Sequence, residues 1–267
     1  MYIIKPKREI DQRVQEYRIT GDYHTHTVYS CKGVYRHGKG IVEENALAAR
    51  RLGIKEIAIT DHGPALKFYG LKISKVPRCI EDIEKTLKKY SDMKIFMSVE
   101  ANIIDTPSGI DIEEKDKHLF DFIIAGYHYG CAKGKMIGNM ISFSRCMPSG
   151  SYERLKSQNT DNMLKALYMN DIKILTHPCD NAPFDRKEVW RACEDTDTLV
   201  ELNNRHDNLS VEDIGEIAIR DIRFVISSDA HKPEEVGRCE IAMTKVIRAG
   251  LDISRVVNME RRDRLWK

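Results

Sequence analysis

Seven of the nine histidines in this 267-residue chain stand just after short apolar, β-branched runs or in the loop that follows one. The densest cluster is Gly21-Asp22-Tyr23-His24-Thr25-His26, and His37 lies in the loop behind it. Ile57-Ala58-Ile59 leads to Asp61-His62, Ile123-Ile124-Ala125 to His128, Ile174-Leu175 to His177, and Val225-Ile226 to Asp229-Ala230-His231; Glu100 follows Ile95-Phe96-Met97-Ser98-Val99 in the same way. Imidazoles and carboxylates are common metal ligands, and so many of them at one kind of position point to a site with more than one ion. The mixture suits zinc, manganese or iron better than calcium or magnesium. These ligands bind deprotonated, so affinity falls in acid. Residues two apart on a strand face the same side, which makes His24-x-His26 a pair, and Asp229-x-His231 repeats the spacing. His118 and His206 fall outside the pattern.

Such positions converge only if the strand ends share a face. Strands are expected near 19–23, 55–60, 94–99, 121–125, 172–176, 198–202 and 223–227, and helices near 42–52, 77–90, 158–170, 185–194, 210–220 and 236–249. Near-continuous apolar strands indicate a parallel sheet buried on both faces. Seven βα repeats predict an α/β fold, a closed or nearly closed (β/α) barrel, whose C-terminal strand ends carry the site. The expected organisation is an N-terminal extension over 1–18 and one barrel domain over 19–267, with a long loop or lid over 129–157. The 42% hydrophobic and 31% charged composition is that of a globular protein, and the net charge of +2 gives no electrostatic case for long nucleic acid. No apolar stretch is long enough for a membrane span or a signal peptide, and the cytoplasm is the expected location. Seven irregularly spaced cysteines without a C-x-x-C read as reduced thiols, with Cys179 near enough to His177 to be weighed as a metal neighbour.

Together the motifs resemble those of the PHP (polymerase and histidinol phosphatase) family: Asp22-Tyr23-His24-Thr25-His26-Thr27, Ile59-Thr60-Asp61-His62-Gly63-Pro64, Val99-Glu100-Ala101-Asn102-Ile103, Ala125-Gly126-Tyr127-His128, Thr176-His177-Pro178 and Ser228-Asp229-Ala230-His231. The closest subgroup is that of the stand-alone bacterial phosphatases and hydrolases. The resemblance implies a distorted (β/α)7 TIM-like barrel with three divalent ions that hydrolyses phosphate esters. Carried over motif by motif, the ligands are His24, His26, His37, His62, Glu100, His128, His177, Asp229 and His231. Glu100 would bridge two ions, and Asp229 would double as proton acceptor. The family pattern places a histidine directly after the serine matching Ser30; here Cys31–Arg36 intervenes, read as an insertion that leaves His37 in the ligand's place. Asp22 and Asp61 are expected to orient imidazoles. Arg205 and Lys232 near strand ends are candidate phosphate contacts, and Asn203 or Asn204 a candidate hydrogen-bonding partner of the substrate. The expected substrate is a small phosphomonoester. The alternatives are histidinol phosphate, a nucleotide or oligonucleotide, C–N bond hydrolysis, and a non-catalytic, metal-stabilised binding barrel.

Overall fold

The computed structural model describes residues 9–32, 36–131, 133–142, 147–206 and 208–262. Seven parallel strands are hydrogen-bonded in sequence order: β2 (Gly21–Thr25), β3 (Glu56–Ile59), β4 (Lys94–Asn102), β5 (Phe122–Gly126), β6 (Ile172–Leu175), β7 (Leu199–Asn203) and β8 (Phe224–Ser227). Helices α1 (Val42–Arg51), α2 (Val76–Lys89), α5 (Arg186–Asp195), α6 (Val211–Ala218) and α7 (Glu240–Arg248) fill the expected connections. Each forms where its ends are satisfied. Glu44 accepts from the Ile41 amide ahead of α1, and Gly53 (φ +77°) turns the chain away behind it. Asp185 caps α5, and Ser210 with Asp213 forms a capping box on α6.

The strands are buried on both faces, with Ile57, Ala58 and Ile59 of β3 and all four residues of β8 out of solvent. One apolar cluster joins Tyr23, Phe122, Ile124, Ile174, Leu199 and Val225. Side chains from five strands of one curved sheet meet only on its concave side, so this cluster fills the barrel interior beneath the strand ends.

The seam between β2 and β8 is stitched rather than laddered. A single bridge pairs Thr25 with Ala230, and the His26 amide donates to Ala230. Asp22 accepts from the Ser228 amide and hydroxyl and from the Gly237 amide. Asn258, 1% exposed, exchanges hydrogen bonds with both backbone groups of Ile226 and donates to the Gly21 carbonyl. Asp22 thus closes the barrel and orients no imidazole.

Two expectations need correction. The stretch 129–157 is not one loop. It contains α3 (Met136–Ser142) and the first turns of α4 (Ser149–Met169), which runs nine residues further towards the N-terminus than the helix expected from 158. Residues 132 and 143–146 lie outside the described residues. The N-terminal extension is also more integrated than its name implies. Residues 1–8 lie outside the described residues, but Val14 is buried and the Asp11 amide donates to Thr244 of α7. β1 (Tyr17–Ile19) pairs antiparallel with β9 (Met259–Arg261), two strands that the apolar pattern did not reveal. No helix among the described residues is long and apolar enough to cross a membrane.

Candidate metal centre

The strand-end residues meet. Glu100, with no exposed surface, lies at the middle. Its Oε1 is 2.8 Å from His177 Nε2, 3.0 Å from His128 Nε2 and 3.3 Å from His24 Nε2; its Oε2 is 2.7 Å from His62 Nδ1 and 3.6 Å from His26 Nε2. Asp229 Oδ1 lies 3.2 Å from His26 Nε2, 3.4 Å from His231 Nδ1 and 3.7 Å from His24 Nε2. Three overlapping sets of donor atoms fall within 4.8 Å of one another: His24, His26 and Glu100; His62, Glu100 and His128; and His26, His62 and His231. His37 sits beside the last set, its ring 4.3 Å from His231 and 5.2 Å from His62.

In two of the rings a bond on one side turns the other nitrogen inward. His24 Nδ1 donates to Glu201 Oε1 at 2.8 Å, which turns its Nε2 towards His26 Nε2, 3.1 Å away. His231 Nδ1 is tied at 2.9 Å to the Asp229 carbonyl. Buried and without a hydrogen-bond partner are His26 Nδ1, His62 Nε2, His128 Nδ1, His231 Nε2, Glu100 Oε2 and Asp229 Oδ1. Of these, Glu100 Oε2 and Asp229 Oδ1 lie 3.6 and 3.2 Å from His26 Nε2, and buried acceptors so placed are costly unless a cation lies between them. Two donors on one tetrahedral ion at ~2.1 Å stand about 3.4 Å apart. The residues therefore fit divalent ions of the borderline class.

Electrostatics prepare the same result. Burial holds His62 down to about 3 and His37 to about 4, and burial with the neighbouring imidazoles holds His231 to about 2, so all three stay neutral and ready to ligate. Burial, His62 and His231 hold His26 well below the usual range too. Burial would also lower His24, but Glu100, Glu201 and Asp229 outweigh it and hold it well above normal; in the protein alone, a proton on His24 stands in for missing positive charge. Burial opposes ionisation of Glu100, yet the surrounding imidazoles keep its carboxyl well below the ordinary value. Two non-glycine residues at strand ends, His177 (φ +26°) and Asp229 (φ +55°), are held in left-handed backbone, strain of a kind that clusters at functional sites.

The ends of the segment read as an insertion ahead of His37 lie together. Cys31 and Arg36 form an antiparallel bridge, and the His37 amide donates to the Ser30 carbonyl at 3.1 Å. The chain thus re-enters at His37 beside the point where it left Ser30; residues 33–35 lie outside the described residues. Asp61 accepts from the amides and hydroxyls of both Thr27 and Ser30, and the Ser30 hydroxyl accepts from the His62 amide. Asp61 therefore fixes the ligand-bearing loops through hydroxyls and amides, not through an imidazole as expected.

Other expected contacts are placed differently. Asn203 is only 4% exposed and fully used: its amide donates to Glu201 Oε2 (2.9 Å) and Asp229 Oδ2 (3.3 Å), and its oxygen accepts from the Arg205 and His206 amides. It positions the centre rather than facing substrate. Asn204 accepts from the Ile241 and Ala242 amides at the start of α7. Lys232 is exposed and lines no part of the cavity above the centre. Cys179 faces Arg186, and burial pushes its thiol up to about 12.

That cavity, about 210 Å³, is lined beyond the candidate ligands by Tyr69, Tyr129, Asn181, Arg205 and His206. A larger hollow of about 540 Å³ lies between the N-terminal segment and α7 and includes no candidate ligand. His206 was left outside the sequence pattern, yet its Nδ1 lies 2.5 Å from Asp180 Oδ2 and its Nε2 3.4 Å from Asp229 Oδ2. Glu201 was missed as well. Besides His24 it accepts from the His177 amide at 2.7 Å; burial would raise its carboxyl, but His24 and these bonds hold it to about 2. The available signal was one carboxylate inside the apolar run Leu199-Val200-Glu201-Leu202.

Comparison with known proteins gives a consistent result. Residues 22–206 match the model of the PHP domain. A probable phosphatase of Acetivibrio thermocellus is 28% identical over 232 residues, 81% of either chain. A probable phosphatase of Caldicellulosiruptor bescii is 29% identical over 238 residues, 84% of either chain. Among solved structures, a histidinol phosphate phosphatase of Lactococcus lactis, in complex with zinc, L-histidinol and phosphate, shares the fold at a TM-score of 0.55. It is 14% identical and aligns over 87% of this chain and 94% of that one.

Proposed function

The chain belongs to the PHP-domain family, and we propose that it is a metal-dependent phosphomonoesterase of small substrates. The observation that supports this reading is the group of buried imidazoles and carboxylates around Glu100 whose ligating atoms fall, in three overlapping sets, within 4.8 Å of one another beside an open cavity. His24, His26 and Asp229 would hold one ion, Glu100 would bridge it to a second on His128 and His177, and His37, His62 and His231 would hold a third. Zinc, manganese and iron fit this donor set. When bound, such ions supply hydroxide at neutral pH and offset charge on the phosphoryl oxygens.

The remaining work falls to the chain. Glu201 and the Asp229 carbonyl fix which nitrogen of His24 and His231 faces inward. Asp229, close to the cavity floor, would accept the proton of the attacking water. Arg205, 44% exposed at its side chain and 3.4 Å from Glu235, is the cation on the cavity wall and would meet the phosphoryl group. Tyr69, Tyr129 and Asn181 leave room for a small organic group on the far side.

The test is hydrolysis of an aryl phosphate and of histidinol phosphate by protein loaded with zinc, manganese or iron. The loaded protein should turn over at least one of them, and His24→Ala should lose at least ~100-fold in kcat/KM. Equal rates in the variant and the parent would refute the reading.

A further inference from the structure

The hollow of about 540 Å³ is larger than the cavity above the centre and shares no residue with it. It lies between the N-terminal segment, α1 and α7, and the strap 233–240 forms one of its walls. Both walls are pinned to other parts of the fold. β1 is laddered to β9. In the strap, the Gly237 amide donates to Asp22 at 2.8 Å, and Glu235 accepts from the His231 amide at 3.0 Å and lies 3.4 Å from Arg205. Gly237 (φ +75°) brings the strap close over α1 and the turn behind it: a Cβ there would stand 2.5 Å from Ile54 Cδ1 and 2.8 Å from Leu52 Cδ1. The hollow is therefore preformed, as small-molecule sites commonly are.

Its lining is of two kinds. Val14, Ile19, Ile54, Val236 and Met243 belong to the main apolar core and border the hollow, and Leu52 stays 58% exposed beside them. Around these stand Arg18, Arg51, Arg238 and Arg262, against Glu234 and Glu240. Arg18 is engaged with Glu260 at 2.6 Å, and Arg262 Nε donates to the Tyr17 carbonyl at 2.8 Å. The side chains of Arg51 and Arg238 make no ion pair or hydrogen bond among the described residues. A guanidinium group is a planar fork that matches an acidic head, and an exposed leucine beside core residues matches hydrocarbon.

We propose that this hollow is a binding site for a small organic anion, an apolar body with one acidic head, whose body lies on Leu52 and Ile54 and whose head meets Arg51 and Arg238. The site is separate from the centre, so the proposal does not depend on the phosphatase reading.

The experiment is calorimetric titration of octanoate into the zinc-loaded full chain, with octanol and octylammonium as its neutral and cationic counterparts. Octanoate should bind saturably, once per chain. Each counterpart should bind at least ~10-fold more weakly, and Arg51→Gln and Arg238→Gln should each weaken octanoate by about 10-fold, the effect of losing one hydrogen bond between charged groups. Ala48→Phe, which sets a ring into the hollow from α1, should abolish binding. Lys232→Gln, which removes an exposed cation outside the hollow, should bind octanoate as the parent does. Circular dichroism melts of the variants separate a folding defect from a loss confined to the hollow. Three results would overturn the proposal. One is no saturable binding by the parent, as when residues 263–267 fill the hollow themselves. Another is octanol binding as tightly as octanoate. The third is octanoate binding that both arginine variants leave unchanged, which would put the carboxylate elsewhere, at the zinc centre included.

Discussion

At the level of single residues, the centre is organised by carboxylates that a sequence reading ranks poorly. Glu201 supports two candidate ligands at once, His24 through the ring and His177 through the backbone. Glu201→Gln keeps the size but removes the charge that draws the His24 proton to Nδ1. Zinc affinity should fall by about 10–100-fold with the fold intact, measured by competition with a chromogenic chelator; affinity equal to the parent would remove Glu201 from this role. The converging cluster was legible because an imidazole or carboxylate just after a β-branched run has few structural reasons to recur at six strand ends. Glu201 was not, since its partner His24 is 177 positions away and one acidic residue in a strand carries no periodicity. His206 was missed for a related reason: it follows β7 by three residues and is brought to Asp229 by the turn that Asn203 caps, a feature of folded geometry rather than spacing.

Among the elements, the seven parallel strands and the helices between them follow from apolar runs and capping residues, and the expected positions differ from the observed ones by a few residues. The failures have a common cause. β1 and β9 are three-residue strands with exposed or charged members, laddered to each other in a separate two-stranded sheet and reaching the core through Ile19 and Met259. The start of α4 was hidden by Pro148 and Gly150, which read as breakers although proline ahead of a helix and glycine in its first turn are both tolerated. The seam between β2 and β8 was equally invisible, because a side chain replaces a ladder there. Asn258→Ala would leave the Ile226 amide and the Gly21 carbonyl buried and unpaired. That loss should destabilise the protein by roughly 3 kcal/mol, seen as a lower urea midpoint at unchanged slope. A midpoint within error of the parent would mean that the seam holds without it.

For the molecule as a whole, gathering neutral histidines in the interior couples the centre to acid stability. An unfolded histidine titrates near 6.5, whereas His37 is held to about 4, His62 to about 3 and His231 to about 2 by burial. Between those values and 6.5 the unfolded chain binds more protons, so these residues make stability fall as pH drops. His24, raised by its carboxylates, works in the opposite direction, as do Asp22, Asp61, Asp111 and Asp229, whose carboxyls burial pushes up, Asp61 to about 6. The clean signal is therefore in the effect of metal: the rise in melting temperature that zinc produces should shrink from about pH 6.5 to 4, because protons compete for the same nitrogens. A zinc-induced rise that is constant over that range would contradict ligation by these imidazoles.

The closed loop between Ser30 and His37 has a consequence for how the chain can vary over evolutionary time. Because Cys31 meets Arg36 and the His37 amide returns to Ser30, the chain leaves and re-enters at adjacent points. A segment with such ends can lengthen or shorten in one genetic step while His37 keeps its station. Ancestry inferred from the distance between Ser30 and His37 would then misjudge the chemistry, whereas the contact at the loop's neck would not.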